Sequence, residues 1–264
     1  MVLLAMLFGA QGCMPGSDAN LVRAPAPAES VAVASAPAPL PSPSPPPDLP
    51  ARLAALAPDA DPDVLRLAVQ AETCARDAGD TTPLPARLGV IDYSRPSTER
   101  RLWVFDLRRE RLLYHEFVAH GRNTGDNLAS RFSNAEGSLQ SSLGLFRTAE
   151  TYEGGNGYSL RMDGLEPGFN DQARSRAIVM HGAWYVDPLQ ALKQGRLGRS
   201  LGCPALRQPI AREVIDTLKG GQALFAYYPD RQWLSNSRLL GCGANERTLA
   251  SRLAMHASVH TAAR

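Results

Sequence analysis

Apolar residues in the middle of the chain recur mostly at the two-residue period of β-strands. In residues 101–107, Leu102 and Val104 alternate with Trp103 and Phe105, so a strand there would present large apolar side chains to both faces of a sheet. Segments with strand character are residues 88–93, 101–107, 112–119, 142–151, 158–163, 177–180 and 222–228. Strands therefore dominate the predicted fold.

Helical spacing is confined to the flanks of these segments. Residues 61–76 carry apolar side chains at helical intervals, with Asp61 or Asp63 as the capping residue. Residues 209–218 predict a second helix that ends before Gly220. Strands and helices do not alternate as they do in parallel α/β folds. We expect a mainly β domain, sandwich or barrel-like, with an N-terminal helix and short flanking helices.

Composition divides the chain into four parts. Residues 1–13 contain an apolar run that ends in Ala10-Gln11-Gly12-Cys13. This ending resembles the lipobox of bacterial lipoproteins and predicts export, with lipidation of Cys13. Residues 14–60 are rich in Pro and Ala and predict a disordered tether. Residues 61–230 form the expected folded domain, and residues 231–264 a partly helical extension.

This organisation predicts a protein of the periplasm or cell envelope that contacts the membrane through a lipid anchor. A plain secretory signal with an incidental cysteine is the alternative. The formal net charge of +2 gives no case for a nucleic-acid partner. No glycine-rich phosphate-binding loop surrounds either lysine, Lys193 or Lys219.

One cysteine stands in a loop-like segment that suits catalysis. Cys203 lies in the sequence Gly-Arg-Ser-Leu-Gly-Cys-Pro at 198–204, and His181 directly follows the apolar run 177–180. A thiol and an imidazole are the minimal pair for acyl transfer, because the imidazole takes the thiol proton and returns it to the leaving amine. The positive charge of Arg199 favours the thiolate, which is the form that attacks.

The residues around this pair resemble the murein L,D-transpeptidase catalytic domain. The family signature is His-Gly, a spacer and Ser-x-Gly-Cys, and this chain has His181-Gly182 and Ser200-x-Gly202-Cys203. The Pro-Ala that follows is similar to one branch of the family. Further similar segments are residues 94–102, 118–125, 132–134 and 141–144, so the resemblance spans about residues 90–230.

The resemblance implies a β-rich fold and a reaction on the stem peptides of peptidoglycan. Cys203 would be the nucleophile and His181 the general base and acid, oriented by the carbonyl of Gly182. Ser200 would assist the imidazole, and the amides near Gly202 and Cys203 would form an oxyanion hole. D-Alanine would leave, a thioester would form, and an amine of a second stem would resolve it into a 3→3 cross-link. No metal and no organic cofactor is implied.

One position departs from the commoner family motif, which has an arginine two residues after the cysteine where this chain has Ala205. This departure leaves the donor specificity open, and water as the acceptor would make the site an L,D-carboxypeptidase. The candidates for binding the substrate are Arg199, Arg207, Arg122, Arg196 and His120.

The same residues leave other functions open. Gly198-x-Ser200-x-Gly202 matches the serine-hydrolase nucleophile elbow, which needs a preceding strand and a later Asp and His. Only His256 and His260 follow, in the tail, and papain-like peptidases would also need a later histidine. Those two histidines have metal-ligand spacing on a helix but no obvious third ligand. A wall-binding lipoprotein without catalysis is a further alternative, although binding alone does not require a thiol beside a base.

Two cysteines remain after Cys13 and Cys203 are assigned. In an oxidising compartment, Cys74 and Cys242 could form a disulfide between the first helix and the C-terminal segment. Two free thiols are the alternative.

Overall fold

The computed structural model describes residues 48–80 and 82–242. Cys13, the tether up to residue 47, His256 and His260 lie outside the described residues, so export and lipidation stay predictions. Within the described ranges, no helix combines the length and the apolar character needed to cross a bilayer.

In this part of the chain, nine strands form one mixed sheet. They are β1 (Arg87–Asp92), β2 (Leu102–Asp106), β3 (Arg111–Glu116), β4 (Val118–Ala119), β5 (Gly144–Gly154), β6 (Gly157–Gly164), β7 (Val179–Ala183), β8 (Ala205–Arg207) and β9 (Ala223–Tyr227). Their order is β3-β2-β1-β9-β5-β6-β7-β8-β4. Among these nine strands, β1–β9 and β7–β8 pair in parallel, and the other neighbours pair antiparallel.

The two edge strands show that this sheet curls. β3 and β4 lie at opposite ends of the strand order, yet only Phe117 separates them in the sequence. The sheet must therefore bend until its edges approach each other, which gives a nearly closed barrel. The prediction of a mainly β, barrel-like domain is confirmed.

Six short helices accompany the sheet in the described residues. They are α1 (Leu49–Leu56), α2 (Pro62–Asp77), α3 (Pro188–Gln194), α4 (Gln208–Leu218), α5 (Arg231–Asn236) and α6 (Arg238–Gly241). The predicted helices at 61–76 and 209–218 correspond to α2 and α4. Asp61 caps α2, because its carboxylate accepts the backbone N–H of Asp63 at 2.8 Å. Of the C-terminal extension, α5 and α6 lie within the described residues.

Helix α1 corrects the predicted end of the tether. The tether was expected to reach residue 60, but α1 begins at Leu49, behind an Asp48 cap, and Leu53 and Ala57 are fully buried. Leu49, Leu53 and Leu56 recur at helical spacing and pack with the core. The proline-rich composition of the preceding residues hid this short apolar pattern.

Helices α2 and α6 are joined covalently. Cys74 of α2 and Cys242, directly after α6, form a disulfide with a Cα–Cα distance of 5.5 Å, which is the pairing that the sequence left open. Close to it, Arg147 of β5 lies between Glu72 at 2.6 Å and Asp80 at 2.7 Å. These contacts fix the C-terminal end of α2 to the sheet.

Candidate active site

Cys203 and His181 lie on neighbouring chain segments at one edge of the barrel. Strands β7 and β8 pair in parallel with His181 opposite Ala205, and Cys203 comes two residues before Ala205. Its buried thiol accepts the N–H of Val179 at 3.4 Å and donates to the carbonyl oxygen of Ala177 at 3.7 Å. Val179 and His181 are two residues apart on β7, so their side chains lie on the same face of the sheet.

The imidazole of His181 is held in one tautomer. Its Nδ1 lies 3.0 Å from the carbonyl oxygen of Gly182, and because a carbonyl only accepts, Nδ1 carries the proton. Nε2 is then the unprotonated nitrogen that a base requires. Within the described chain, no hydrogen bond joins this ring to the thiol of Cys203. Gly182 also lets α4 pack closely, since a Cβ there would lie 2.8 Å from the Cβ of Ala211.

Burial determines the resting protonation of the pair. It raises the pKa of the Cys203 thiol, against the opposing effects of the Val179 amide and the charge of Arg176. It lowers the pKa of His181, against the opposing effect of the hydrogen bond to Gly182. The pair at rest is therefore a thiol and a neutral imidazole, and the thiol proton must move to the imidazole when the sulfur attacks.

Ser200 organises the cysteine loop (residues 198–204), and in the described part of the chain no hydrogen bond joins its hydroxyl to the imidazole of His181. Its Oγ donates to the carbonyl oxygen of Cys203 at 2.6 Å and accepts the N–H of Gly202 at 3.1 Å. This differs from the expected assistance to His181, because the hydroxyl closes a short turn with its own loop. The Gly202 N–H is likewise engaged and is not free to bind an oxyanion. Gly202 has φ 128°, a conformation that favours glycine.

Three of the expected substrate-binding arginines are engaged in ion pairs. Arg207 binds the carboxylate of Glu116 through two hydrogen bonds, at 2.9 and 2.6 Å. Arg199 binds Asp126 at 2.8 Å, together with backbone carbonyls of the same loop. The acidic partners of Arg207 and Arg199 lie 91 and 73 residues away in the sequence, so no local sequence pattern indicates these pairs. Arg196 also faces Asp126, at 3.7 Å.

Arg122 and His120 differ sharply in exposure. Arg122 is exposed, and in the part of the chain that is described its side chain makes no hydrogen bond. His120 is 1% exposed, so the expectation that it lines a substrate cleft is wrong. Its Nδ1 lies 2.9 Å from the guanidinium of Arg101 and its Nε2 3.3 Å from the carbonyl oxygen of Gly125. Burial and the charge of Arg101 lower the pKa of His120 to about 3.

Ser141 and Arg176 were not identified as site residues from the sequence. The hydroxyl of Ser141 accepts the N–H of Gly121 at 3.0 Å and donates to the carbonyl oxygen of Gly202 at 2.9 Å, so it ties two loops to the cysteine loop. Ser141 does lie in one of the family-like segments. Arg176 lies two residues before Ile178, at the start of the apolar run, and no motif marks it.

Comparison with known proteins identifies the family. A model described as the L,D-transpeptidase catalytic domain matches residues 56–227, well over half of the chain. The chain belongs to this family. No functionally curated protein matches the chain.

Solved structures similar to the chain include several L,D-transpeptidases. One from Mycobacterium smegmatis is 15% identical, with 54% of this chain and 59% of that chain covered and a TM-score of 0.34. One from Stackebrandtia nassauensis is 11% identical, with 68% and 88% covered and a TM-score of 0.33. L,D-transpeptidase 1 from Mycobacterium tuberculosis is 14% identical, with 53% and 61% covered and a TM-score of 0.31. The chain thus spans about three fifths of the first and third of these, and at these TM-scores the likeness adds no argument of its own.

Proposed function

We propose that this protein is an L,D-transpeptidase that acts on peptidoglycan stem peptides through a thioester on Cys203. The observation that supports this most is the tautomer of His181. The Gly182 carbonyl holds the Nδ1 proton, which leaves Nε2 free to act as a base on the strand that touches the Cys203 thiol. Membership of the L,D-transpeptidase family supplies the substrate class.

The reaction begins as Nε2 of His181 accepts the thiol proton. The sulfur attacks the carbonyl carbon of the third residue of the donor stem, and a tetrahedral oxyanion forms. When the C–N bond breaks, the imidazolium protonates the departing amine of D-alanine and a thioester remains. The amine of a second stem then attacks the thioester, its proton passes through the imidazole to the sulfur, and a 3→3 cross-link forms as the C–S bond breaks.

The oxyanion requires donors other than the amide of Gly202. Because Ser200 already accepts that N–H, the amide of Cys203 is the remaining donor at the nucleophile, and it lies close to its own sulfur. The Ser200 turn and the Ser141 bridge fix the carbonyls of Cys203 and Gly202 and thereby the direction of this amide. Such preorganised donors contribute several kcal/mol to catalysis, about 2.7–4 for one donor in a well-studied protease.

Muropeptide analysis tests the proposal and identifies the acceptor. The purified protein is incubated with disaccharide-tetrapeptides, and products are separated by liquid chromatography and mass spectrometry. We expect 3→3 dimers with wild type and none with Cys203→Ala or His181→Ala. Tripeptides without dimers would identify water as the acceptor and overturn the transpeptidase assignment. Unchanged tetrapeptide with folded wild type would overturn the enzymatic function altogether.

We also propose that the protein is exported and anchored by lipid on Cys13. The apolar run that ends in small residues before this cysteine supports the proposal. Metabolic labelling with a radioactive fatty acid should mark wild type but not Cys13→Ser. Equal labelling of both would exclude Cys13, and secretion of unlabelled wild type would indicate a plain signal.

A further inference from the structure

Arg176 occupies an unusual position beside the cysteine loop. It directly precedes Ala177, a non-glycine residue with φ 52° in the left-handed region, where a side chain other than glycine is strained. This conformation directs the Ala177 carbonyl to the thiol of Cys203, 3.7 Å away. Strained backbone of this kind persists where the surrounding contacts hold it, and it clusters at functional sites.

Four oxygen atoms, all uncharged, hold the guanidinium. Nη1 donates to the Ser133 carbonyl at 2.7 Å and to the Ser142 hydroxyl at 2.6 Å. Nη2 donates to the Ser138 hydroxyl at 3.0 Å and to the Gln140 carbonyl at 2.7 Å. No carboxylate of the described residues pairs with it, so the half-buried positive charge has no negative partner in this part of the chain.

The backbone carbonyl of Gln140 links the charge of Arg176 to the cysteine loop. The carbonyl oxygen of Gln140 that binds Arg176 would also lie 2.9 Å from a Cβ at Gly202. Arg176 and Gly202 thus contact the same backbone group from two sides, and the residue after Gly202 is the nucleophile. The charge of Arg176 favours the thiolate of Cys203, and the thiolate favours the charge in return.

The other titratable groups around the thiol do not supply this charge. Burial raises the pKa of Tyr93 and of Tyr185 to about 12, so both phenols are neutral near neutral pH. Burial also lowers the pKa of His181, whose ring is neutral at rest. Arg199 is paired with Asp126, and the charge that lowers the pKa of the Cys203 thiol is that of Arg176, so Arg176 takes the part that the sequence analysis expected of Arg199.

We propose that Arg176 is a positioning residue whose uncompensated charge stabilises the Cys203 thiolate during attack. The four neutral acceptors fix the guanidinium without cancelling its charge, and the charge offsets the cost of forming an anion in a buried loop. This inference rests on the proposed role of Cys203 as the nucleophile.

The pH dependence of iodoacetamide alkylation at Cys203 tests the inference without any substrate. Alkylation reports the thiolate fraction, so its outcome is independent of whether cross-links form. Arg176→Gln should shift the midpoint upward by about one pH unit, the lower end of the effect of a nearby opposite charge. Arg176→Lys keeps a positive charge and should stay near the wild-type midpoint, although it cannot reproduce the four hydrogen bonds.

Arg174→Gln is the matched control, because it removes an arginine charge two residues away that Asp163 and Glu150 already neutralise. Its midpoint should equal that of wild type. Equal midpoints for Arg176→Gln and wild type would overturn the proposal. If Arg176→Gln does not fold, Arg176→Lys decides the test. A folded Arg176→Lys whose alkylation midpoint lies a full pH unit above that of wild type would overturn the proposal, because a purely structural role of the arginine predicts that shift.

Discussion

Acidification should destabilise the protein through His120, a residue whose ring has no part in the proposed chemistry. The unprotonated Nδ1 accepts from Arg101 at 2.9 Å, and Nε2–H donates to Gly125 at 3.3 Å. A proton on Nδ1 would remove the acceptor and place a second positive charge beside a guanidinium that is itself fully buried. The folded state therefore resists protonation.

The sign and size of the effect follow from the two pKa values of His120. The pKa is about 6.5 in an unfolded chain and about 3 in the folded protein. The unfolded state binds the proton first as the pH falls, so stability is lost progressively below pH 6.5. Between pH 7 and pH 5 the loss from this single residue is about 2 kcal/mol.

Urea unfolding at pH 7 and pH 5 measures this loss in wild type and in His120→Asn. Asparagine can still accept from Arg101, but it does not titrate. All other titrating groups are common to both proteins, so the difference between their pH effects isolates His120. The free energy of unfolding should fall by about 2 kcal/mol more in wild type than in the variant. An equal fall in both proteins would refute the buried, neutral state of His120.

Three further variants test the packing, the disulfide and the cysteine loop, each measured by urea unfolding. Leu53→Ala should lower the free energy of unfolding by about 2–5 kcal/mol, because this side chain of α1 is fully buried. Replacing Cys74 and Cys242 together with serine should lower it by about 2–5 kcal/mol, since the disulfide spans a sequence separation of 168 residues. Ser200→Ala should cost about 1–3 kcal/mol, because two buried backbone groups lose their partner.

Each of these has a control within the chain. Leu84 is 72% exposed, so Leu84→Ala should change stability by no more than about 0.5 kcal/mol; an equal effect at Leu53 would place α1 outside the core. Dithiothreitol should lower the free energy of unfolding of wild type but not that of the double serine variant. An equal decrease in both proteins would exclude a stabilising effect of the disulfide. Ser235 is exposed, and a loss at Ser200 no larger than that for Ser235→Ala would contradict the turn.

The strands were predictable because their apolar residues follow a local period. Residues 101–107 and 222–228 predict β2 and β9 within two residues, since both strands are short and apolar. Helix α1 was missed because the surrounding composition is that of a tether, and only tertiary contacts show that Leu53 is buried. Strand β8 has three residues, too few for any period to register.

The site was predictable where its residues form short contiguous sequence motifs. The sequence motifs around His181 and Cys203 predicted a pair, and the fold places the two residues on neighbouring segments. The motifs did not indicate what each arginine contacts. Arg207 meets Glu116 across 91 residues of sequence, and Arg176 finds its four acceptors in a loop 34 to 43 residues earlier. Ion pairs form between residues that only the fold brings together. The sequence alone therefore could not show that the charge of Arg176 lies near the Cys203 thiol without a carboxylate partner.

Mass spectrometry of the acylated protein tests the central claim most directly. Wild type and Cys203→Ala are mixed with a tetrapeptide stem donor, quenched in acid, digested and mapped. The account predicts that wild type gains the mass of the stem minus its terminal D-alanine, carried as a thioester on Cys203, and that the variant gains nothing. Release of D-alanine by Cys203→Ala at the wild-type rate, or an adduct on any other residue, would contradict it.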